Sequence, residues 1–186
     1  MNTSKRPVKF FTSQKVYSGY IDINSNDMRT IDLLNSANLY WKNPADKSFN
    51  DSILLNKANV TIEGGTLLGS FSQLQIRLSD IIFFTDDEET TGHFSEKLRA
   101  SVLTQRSGEK ASTARILTRM SGDSFFIITG QFKGLFKSKS QHRYFPLSQA
   151  TVNALVRTGD SWKNEELVND KFIGLSTNSI EACAFY

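Results

Sequence analysis

Short apolar stretches alternate with polar breaks along most of the chain, which is typical of a protein built from β-strands. The clearest strand contains Leu74, Ile76 and Leu78, whose apolar side chains alternate with polar neighbours. Residues 7–24 are rich in aromatic and branched residues that favour strands. Further strands are expected at 53–55, 60–62, 81–84, 114–120, 125–132, 172–175 and 180–186. The pattern predicts a mainly-β fold made of small barrel-like or sheet modules, and not an alternating β-α order.

A few short helices are expected between these strands. A first helix is predicted over 31–36, because the hydroxyl of Thr30 can cap it. A second is predicted over 94–105, where apolar residues recur on one helical face. A third is expected to begin at Ser148 and to end near Arg157, shortly before a glycine.

The two tryptophans of the chain lie in the same tripeptide, Trp-Lys-Asn, at 41–43 and at 162–164. Eleven residues before each tryptophan is a threonine, Thr30 and Thr151. Over the fourteen positions that these two segments share, five residues are identical. Chance similarity is one explanation. A duplicated unit is the other, and the period of about 120 residues then indicates two related modules and not a solenoid.

The predicted modules span 1–84 and 113–186, and 85–112 is expected to form an acidic loop, a short helix and a flexible connector. Charge is spread unevenly, although the whole chain carries only +3. Residues 96–145 contain ten basic and three acidic side chains, whereas 63–95 contain one basic and six acidic. Such asymmetry favours either a polyanion-binding face or acidic and basic surfaces that meet, within one chain or between copies.

The composition indicates a cytoplasmic protein. No apolar stretch approaches the roughly 20 residues of a membrane helix, and the polar first residues do not resemble a secretory signal. The single cysteine, Cys183, excludes a disulfide within the chain and a cysteine-rich metal cage. Its apolar surroundings in the sequence predict a buried side chain.

The sequence contains no motif of a hydrolase, a zinc protease or a phosphate-binding loop, so no enzyme and no cofactor are expected. The acidic run at 85–92 precedes His93, but it lacks the ligand spacing of a calcium loop. It is therefore expected to be a solvated loop. The glycine-rich segment 64–69 leads back into a strand, which favours a turn over a nucleotide-binding loop.

The most testable functional segment is 131–145, where basic and aromatic residues are interleaved. Lysines can neutralise phosphates and exposed aromatic rings can stack on bases, which is how proteins hold single strands. A hairpin with a charged tip and buried aromatic stems would give the same pattern. The candidate binding residues are Phe132, Lys133, Phe136, Lys137, Lys139, His142, Arg143 and Tyr144.

Residues 28–35 carry an R-x-x-D-x-L-N pattern at Arg29, Asp32, Leu34 and Asn35, and an L-N-K strand segment follows at 55–57. With these motifs, the first half resembles a widespread small bacterial β-domain family of uncharacterised function. The order of the motifs is also similar to that of Sm-like small β-barrels. The resemblance implies a small β-domain over about fifty residues, and it implies no activity.

The second half departs from this pattern. Asn153 stands in place of Asp32, Val156 in place of Asn35, and Ser176 in place of Asn56. A ligand held by the aspartate and asparagine of the first module would therefore not be held in the same way by the second.

Taken together, these features predict a non-enzymatic protein-interaction module, such as an adaptor, a regulator or an assembly subunit. Its partner is expected to be another protein or a second copy of the chain. The alternative is binding of single-stranded RNA or DNA through 131–145. No membrane partner is expected.

Overall fold

The structure is a computed structural model that describes residues 4–23, 29–36, 51–62, 65–86, 112–132 and 143–186. Of these residues, 76% lie in strands, which confirms the prediction of a mainly-β protein. The chain divides into two compact units, Met1–His93 and Phe94–Tyr186, which we call unit 1 and unit 2.

Unit 1 contains a five-stranded antiparallel sheet and one short helix. In chain order the elements are β1 (Ser4–Phe11), β2 (Lys15–Ile23), α1 (Thr30–Asn35), β3 (Ser52–Ile62), β4 (Leu67–Arg77), a 3-10 turn (Leu78–Asp80) and β5 (Phe83–Asp86). The first four strands pair in sequence, and β5 returns to the free side of β1, so the order is β5-β1-β2-β3-β4. None of the described pairings joins β5 to β4, and the sheet of this unit is open, not a closed barrel.

Unit 2 repeats this order, and its third, fourth and fifth strands are longer. Its elements are β6 (Ser112–Thr118), β7 (Ser124–Phe132), β8 (Tyr144–Thr158), β9 (Ser161–Ser176), a 3-10 turn (Thr177–Ser179) and β10 (Ile180–Phe185). Again four strands pair in sequence and the last returns to the first, which gives the order β10-β6-β7-β8-β9. The predicted hairpin turn between β6 and β7 is present, with Gly122 at φ 64°.

Each sheet has one face that carries the buried side chains; we call the opposite face the outer face. In unit 1 the core is aromatic near β5, where the rings of Phe11 and Phe83 stack at 4.2 Å and Phe10 meets Phe84 edge-on at 6.1 Å. The helix α1 adds its apolar residues to the buried set. The core of unit 2 is mostly aliphatic, with Ala114, Ile116, Ile128, Leu147, Val152, Ile173 and Leu175 all fully buried.

Both units bend at the same place, between their second and third strands. In unit 1 the register shifts around Gly19, and Lys57 on the opposite strand has a left-handed backbone, φ 49°. In unit 2 the register shifts around Gly130, opposite Gln149, also at φ 49°. A Cβ atom on Gly19 would lie 2.8 Å from the carbonyl oxygen of Asn56, so any side chain there would force the backbone to shift.

The 3-10 turns of the two units make equivalent backbone hydrogen bonds. The amide of Leu78 donates to the carbonyl of Asp51 at 2.9 Å, and the amide of Thr177 donates to the carbonyl of Arg143 at 2.8 Å. Each turn therefore binds the residue that precedes the third strand of its unit. The shared turn fixes where the fifth strand starts.

Two predictions of secondary structure differ from the structure. The helix expected from Ser148 to Arg157 is part of strand β8, where Val152 and Ala154 are buried and alternate with more exposed residues. The left-handed Gln149 resets the alternation, and this hid the period of two in the sequence. The two short strands expected at 53–55 and 60–62 are one strand, β3, interrupted only by the bend at Lys57.

The alignment of Thr30 on Thr151 pairs unlike structures. Thr30 begins helix α1, whereas Thr151 lies in strand β8. The helix expected at 94–105 and the first tryptophan tripeptide lie outside the described residues. The two units correspond through their bends and 3-10 turns, and this is a different register from the one that the tryptophans suggest.

Candidate interaction surfaces

The described aromatic residues of the predicted 131–145 site pack within unit 2. Phe132 stacks on Phe145 at 4.5 Å and lies 6.3 Å from Phe185. Tyr144 is only 1% exposed, so its ring is not offered to a ligand. The carbonyl of Arg143 accepts hydrogen bonds from the amide and hydroxyl of Thr177, at 2.8 and 3.1 Å. The remaining candidates, Lys133, Phe136, Lys137, Lys139 and His142, lie outside the described residues.

The acidic run does not begin as a solvated loop, because its first two residues belong to β5 and are buried. Asp86 is 7% exposed, and its Oδ2 atom accepts a hydrogen bond of 2.6 Å from the hydroxyl of Thr30. The guanidinium of Arg6, itself 4% exposed, lies 3.9 Å from the same oxygen. This buried cluster joins β1, β5 and α1, and it serves the fold. The rest of the run and His93 lie outside the described residues.

The two charged residues of the R-x-x-D motif bind each other. Both Nε and Nη2 of Arg29 donate to the carboxylate of Asp32, each at 2.7 Å, in a bidentate pair on the surface of α1. Nearly half of each side chain is exposed. Leu34 of the same motif is buried in the core, so the motif has a structural role in this unit.

Two features are absent from the described residues. No group of three or more histidine, cysteine, aspartate or glutamate side chains in that part of the chain is placed to hold a metal ion. No helix in that part is long and apolar enough to cross a membrane.

Strand β4 is the most exposed strand of unit 1, and it lies at the end of the strand order. Leu67, Leu68 and Phe71 are 57%, 54% and 46% exposed, although all three are large and apolar. Every residue from Leu67 to Ile76 is uncharged, and none is proline. An edge strand of this length normally carries lysine or proline, which prevents it from pairing with another chain. β4 lacks this protection.

Strand β10 lies at the end of the strand order of unit 2, and it is also exposed. Its only acidic or basic side chain is Glu181. Phe185 is 47% exposed, and Tyr186, directly after the strand, is 76% exposed. Cys183 is exposed as well, so the expectation that it lies in the core is wrong. Partial burial raises the pKa of its thiol above the ordinary value, which disfavours the reactive thiolate.

Sequence reasoning placed a strand at 74–78 and missed its first half. The signal for the missing half was the uncharged segment that precedes Arg77. It spans the rest of β4 and has none of the charges that normally protect an edge strand. That β4 lies at an edge follows only from the pairing of strands distant in sequence.

No protein-family model, curated protein or solved structure matches this chain.

Proposed function

We propose that this protein is a non-enzymatic assembly subunit whose copies join by strand addition at β4. The observation that carries the proposal is the edge of β4, which no described strand covers, with its exposed Leu67, Leu68 and Phe71. An added strand would satisfy the outward backbone groups of β4 and bury these side chains. Each fully buried large apolar side chain contributes about 1.5–3 kcal/mol, which is enough for three of them to support association.

A second copy of the chain is the occupant that fits best. β10 also has an edge that is not covered by any strand in the described part of the chain, and its exposed Phe185 and the neighbouring Tyr186 are apolar or aromatic like the side chains of β4. Pairing of β4 of one copy with β10 of another uses two different surfaces, so it builds a ring if the rotation closes and a filament if it does not.

We further propose that the two units descend from one duplicated β unit. The support is the common strand order, the glycine and left-handed residue at the same bend, and the 3-10 turn before the last strand. Leu55, Ala58 and Val60 of β3 have identical counterparts at the same bend positions of β8, namely Leu147, Ala150 and Val152. All six are buried. We place this assembly in the cytoplasm, since a chain with one cysteine is typical of a reducing compartment.

Size-exclusion chromatography with light scattering tests the proposal over a wide range of concentration. We expect the mass of the wild type to rise above the monomer value of 20.9 kDa as concentration increases. Phe71→Lys puts a charge on the edge and should keep the protein monomeric. The matched control is Thr129→Lys, because Thr129 is exposed on β7, a strand that lies between β6 and β8 and away from both edges.

The control should associate as the wild type does. A wild type that stays at the monomer mass at every concentration would refute strand addition between copies. Association that Phe71→Lys leaves unchanged would refute the role of β4.

A further inference from the structure

The outer face of unit 2 carries an apolar and aromatic patch at the end of the sheet where β8 turns into β9. The register sets Phe125 opposite Leu155, and Leu155 opposite Asn164. One step further along the hairpin, Arg157 is opposite Trp162. On the other side, Leu117 of β6 is opposite Ile127 of β7. We call Leu117, Phe125, Ile127, Leu155 and Trp162 the Trp162 patch.

The tryptophan of this patch is held in place and is still open to solvent. Its ring meets the ring of Phe125 edge-on, with centroids 5.4 Å apart and planes at 71°. Trp162 nevertheless stays 46% exposed, and Leu117 is 39% exposed. Phe125 is half-buried beneath them. An aromatic side chain that is fixed by a neighbour and exposed to solvent can stack on a flat ligand at little cost in side-chain entropy.

Arginines surround the patch. On β6, the exposed Arg115 lies two residues before Leu117, and the exposed Arg119 lies two residues after it. Arg157 lies directly across from Trp162, and its Nε atom donates to the carbonyl of Gly159 at 3.2 Å, which leaves the other guanidinium donors for a ligand. This part of the outer face extends from the three arginines to Asn153. Among its described residues on β6, β7, β8 and β9, the only acidic one is Glu166.

The other charged residues near the patch on β6 to β9 do not lie on the outer face. Lys163 and Glu165 alternate with the outer-face residues of β9, and they pair with each other at 3.8 Å. Asp123 and Asp160 are in the two turns and not on the sheet. From β6 to β9 the outer face therefore presents three positive charges and one negative charge around an aromatic centre, and Glu181 of the adjacent strand β10 is also exposed.

We propose that the Trp162 patch binds single-stranded nucleic acid, with bases stacked on Trp162 and phosphates bound by Arg115, Arg119 and Arg157. A single strand combines flat apolar rings with regularly spaced negative charge, and this is the chemistry that an aromatic centre with surrounding arginines complements. An acidic peptide matches the charge but offers no ring to stack on Trp162. This surface is separate from the 131–145 segment, whose described aromatic residues pack within the unit.

The test uses fluorescein-labelled oligo-dT and oligo-U of about 15 nucleotides at low salt, with fluorescence anisotropy as the readout. Trp162→Ala should weaken binding about ten- to a hundredfold, which is the usual effect of losing one stacked base. Trp162→Phe keeps an aromatic ring, so most of the wild-type affinity should remain. Tyr20→Ala is the matched control, because it removes a ring that is 40% exposed and lies on β2 of unit 1, outside the patch.

A second readout reports contact with the tryptophan itself. In a Trp41→Phe background, Trp162 is the only tryptophan of the chain, and bound oligonucleotide should quench its fluorescence. Arg157→Gln should weaken binding and reduce its salt dependence by about one counterion. Lys171→Gln removes one positive charge at an exposed site far along β9, and it should change neither quantity.

Four outcomes would overturn the proposal. The first is no binding and no quenching at low salt. The second is wild-type affinity in folded Trp162→Ala, with folding checked by circular dichroism. The third is loss of binding only when Lys133, Lys137 and Lys139 are replaced by alanine. The fourth is a poly-glutamate peptide that binds as tightly as the oligonucleotides.

Discussion

Units 1 and 2 share a backbone plan and differ on their outer faces. In unit 1 the outer face is joined by amide hydrogen bonds: Gln73 donates to Asn56, and Asn56 donates to Asp22, each at 3.1 Å. In unit 2 the hairpin of the third and fourth strands extends further beyond the bend, and this extension carries Trp162. The residues that make the bend are alike because backbone sterics dictate them. The exposed residues have diverged, so the faces are where we expect the two units to differ in function.

The largest expected difference concerns the first and last strands. Asp86 lies opposite Val8 in unit 1, and Phe185 occupies the matching place opposite Ala114 in unit 2. Asp86→Ala removes the carboxylate beside the buried Arg6 and should lower the free energy of unfolding by about 3 kcal/mol or more. Urea denaturation would measure this.

Phe185→Ala is the counterpart, since the ring of Phe185 is 47% exposed. It should cost only about 1 kcal/mol. Equal losses at the two positions would show that the cluster in unit 1 contributes nothing beyond ordinary packing.

The glycines at the bends should respond in the same direction and to different extents. A Cβ on Gly19 would lie 2.8 Å from a backbone oxygen, which cannot move away cheaply, whereas a Cβ on Gly130 would lie 3.1 Å from the Cβ atoms of Leu147 and Ala150. We expect Gly19→Ala to destabilise by about 2–3 kcal/mol and Gly130→Ala by about 1–2 kcal/mol. Thermal unfolding of the two variants compares them directly, and a neutral Gly19→Ala would contradict the close approach.

The left-handed residues should show a smaller effect of opposite sign. Lys57 and Gln149 have the same φ, 49°, and a side chain there is strained. Replacing either with glycine relieves the strain, and we expect a gain of about 0.5–1 kcal/mol from each. Similar gains at the two sites would strengthen the equivalence of the bends. A loss at one site alone would break it.

The smallest effect concerns pH. Burial, and secondarily the nearby charge of Asp80, raise the pKa of Tyr17 in unit 1 above its usual value of 10.0. Because the folded state then holds the phenolic proton more tightly than the unfolded state, this stabilisation is present at neutral pH and is lost as the pH rises above about 10. Tyr17→Phe should flatten the decline in melting temperature above that pH. An unchanged alkaline profile would show that Tyr17 does not cause it.

Local sequence signals predicted the parts of the fold that depend on neighbours in sequence. The hairpin turn at 121–124 and the alternating strand at 74–78 are examples, since turn residues and period-two alternation act over a few positions. Helix α1 was also predicted, although Thr30 donates to Asp86, 56 residues away, where a capping role was expected.

Contacts between distant segments explain what could not be predicted. The prediction of a helix from Ser148 is wrong, because Gln149 has a left-handed backbone at the bend of β8 opposite Gly130. This bend is visible only in the pairing of β8 with β7. Cys183 is exposed because β10 has one described neighbour, β6, and lies at an edge. The residues of the Trp162 patch come from β6, β7, β8 and β9, and only the pairing of these strands brings them onto one face of the sheet.

Amide hydrogen exchange along β4, measured at increasing protein concentration, tests the central claim most directly. If copies join by strand addition, the outward-facing amides between Leu67 and Arg77 become protected as concentration rises, and Phe71→Lys abolishes that protection while the amides of β2 stay unchanged. Amides of β4 that exchange at the same rate from dilute to concentrated solution would contradict the proposal that this edge is where the protein assembles.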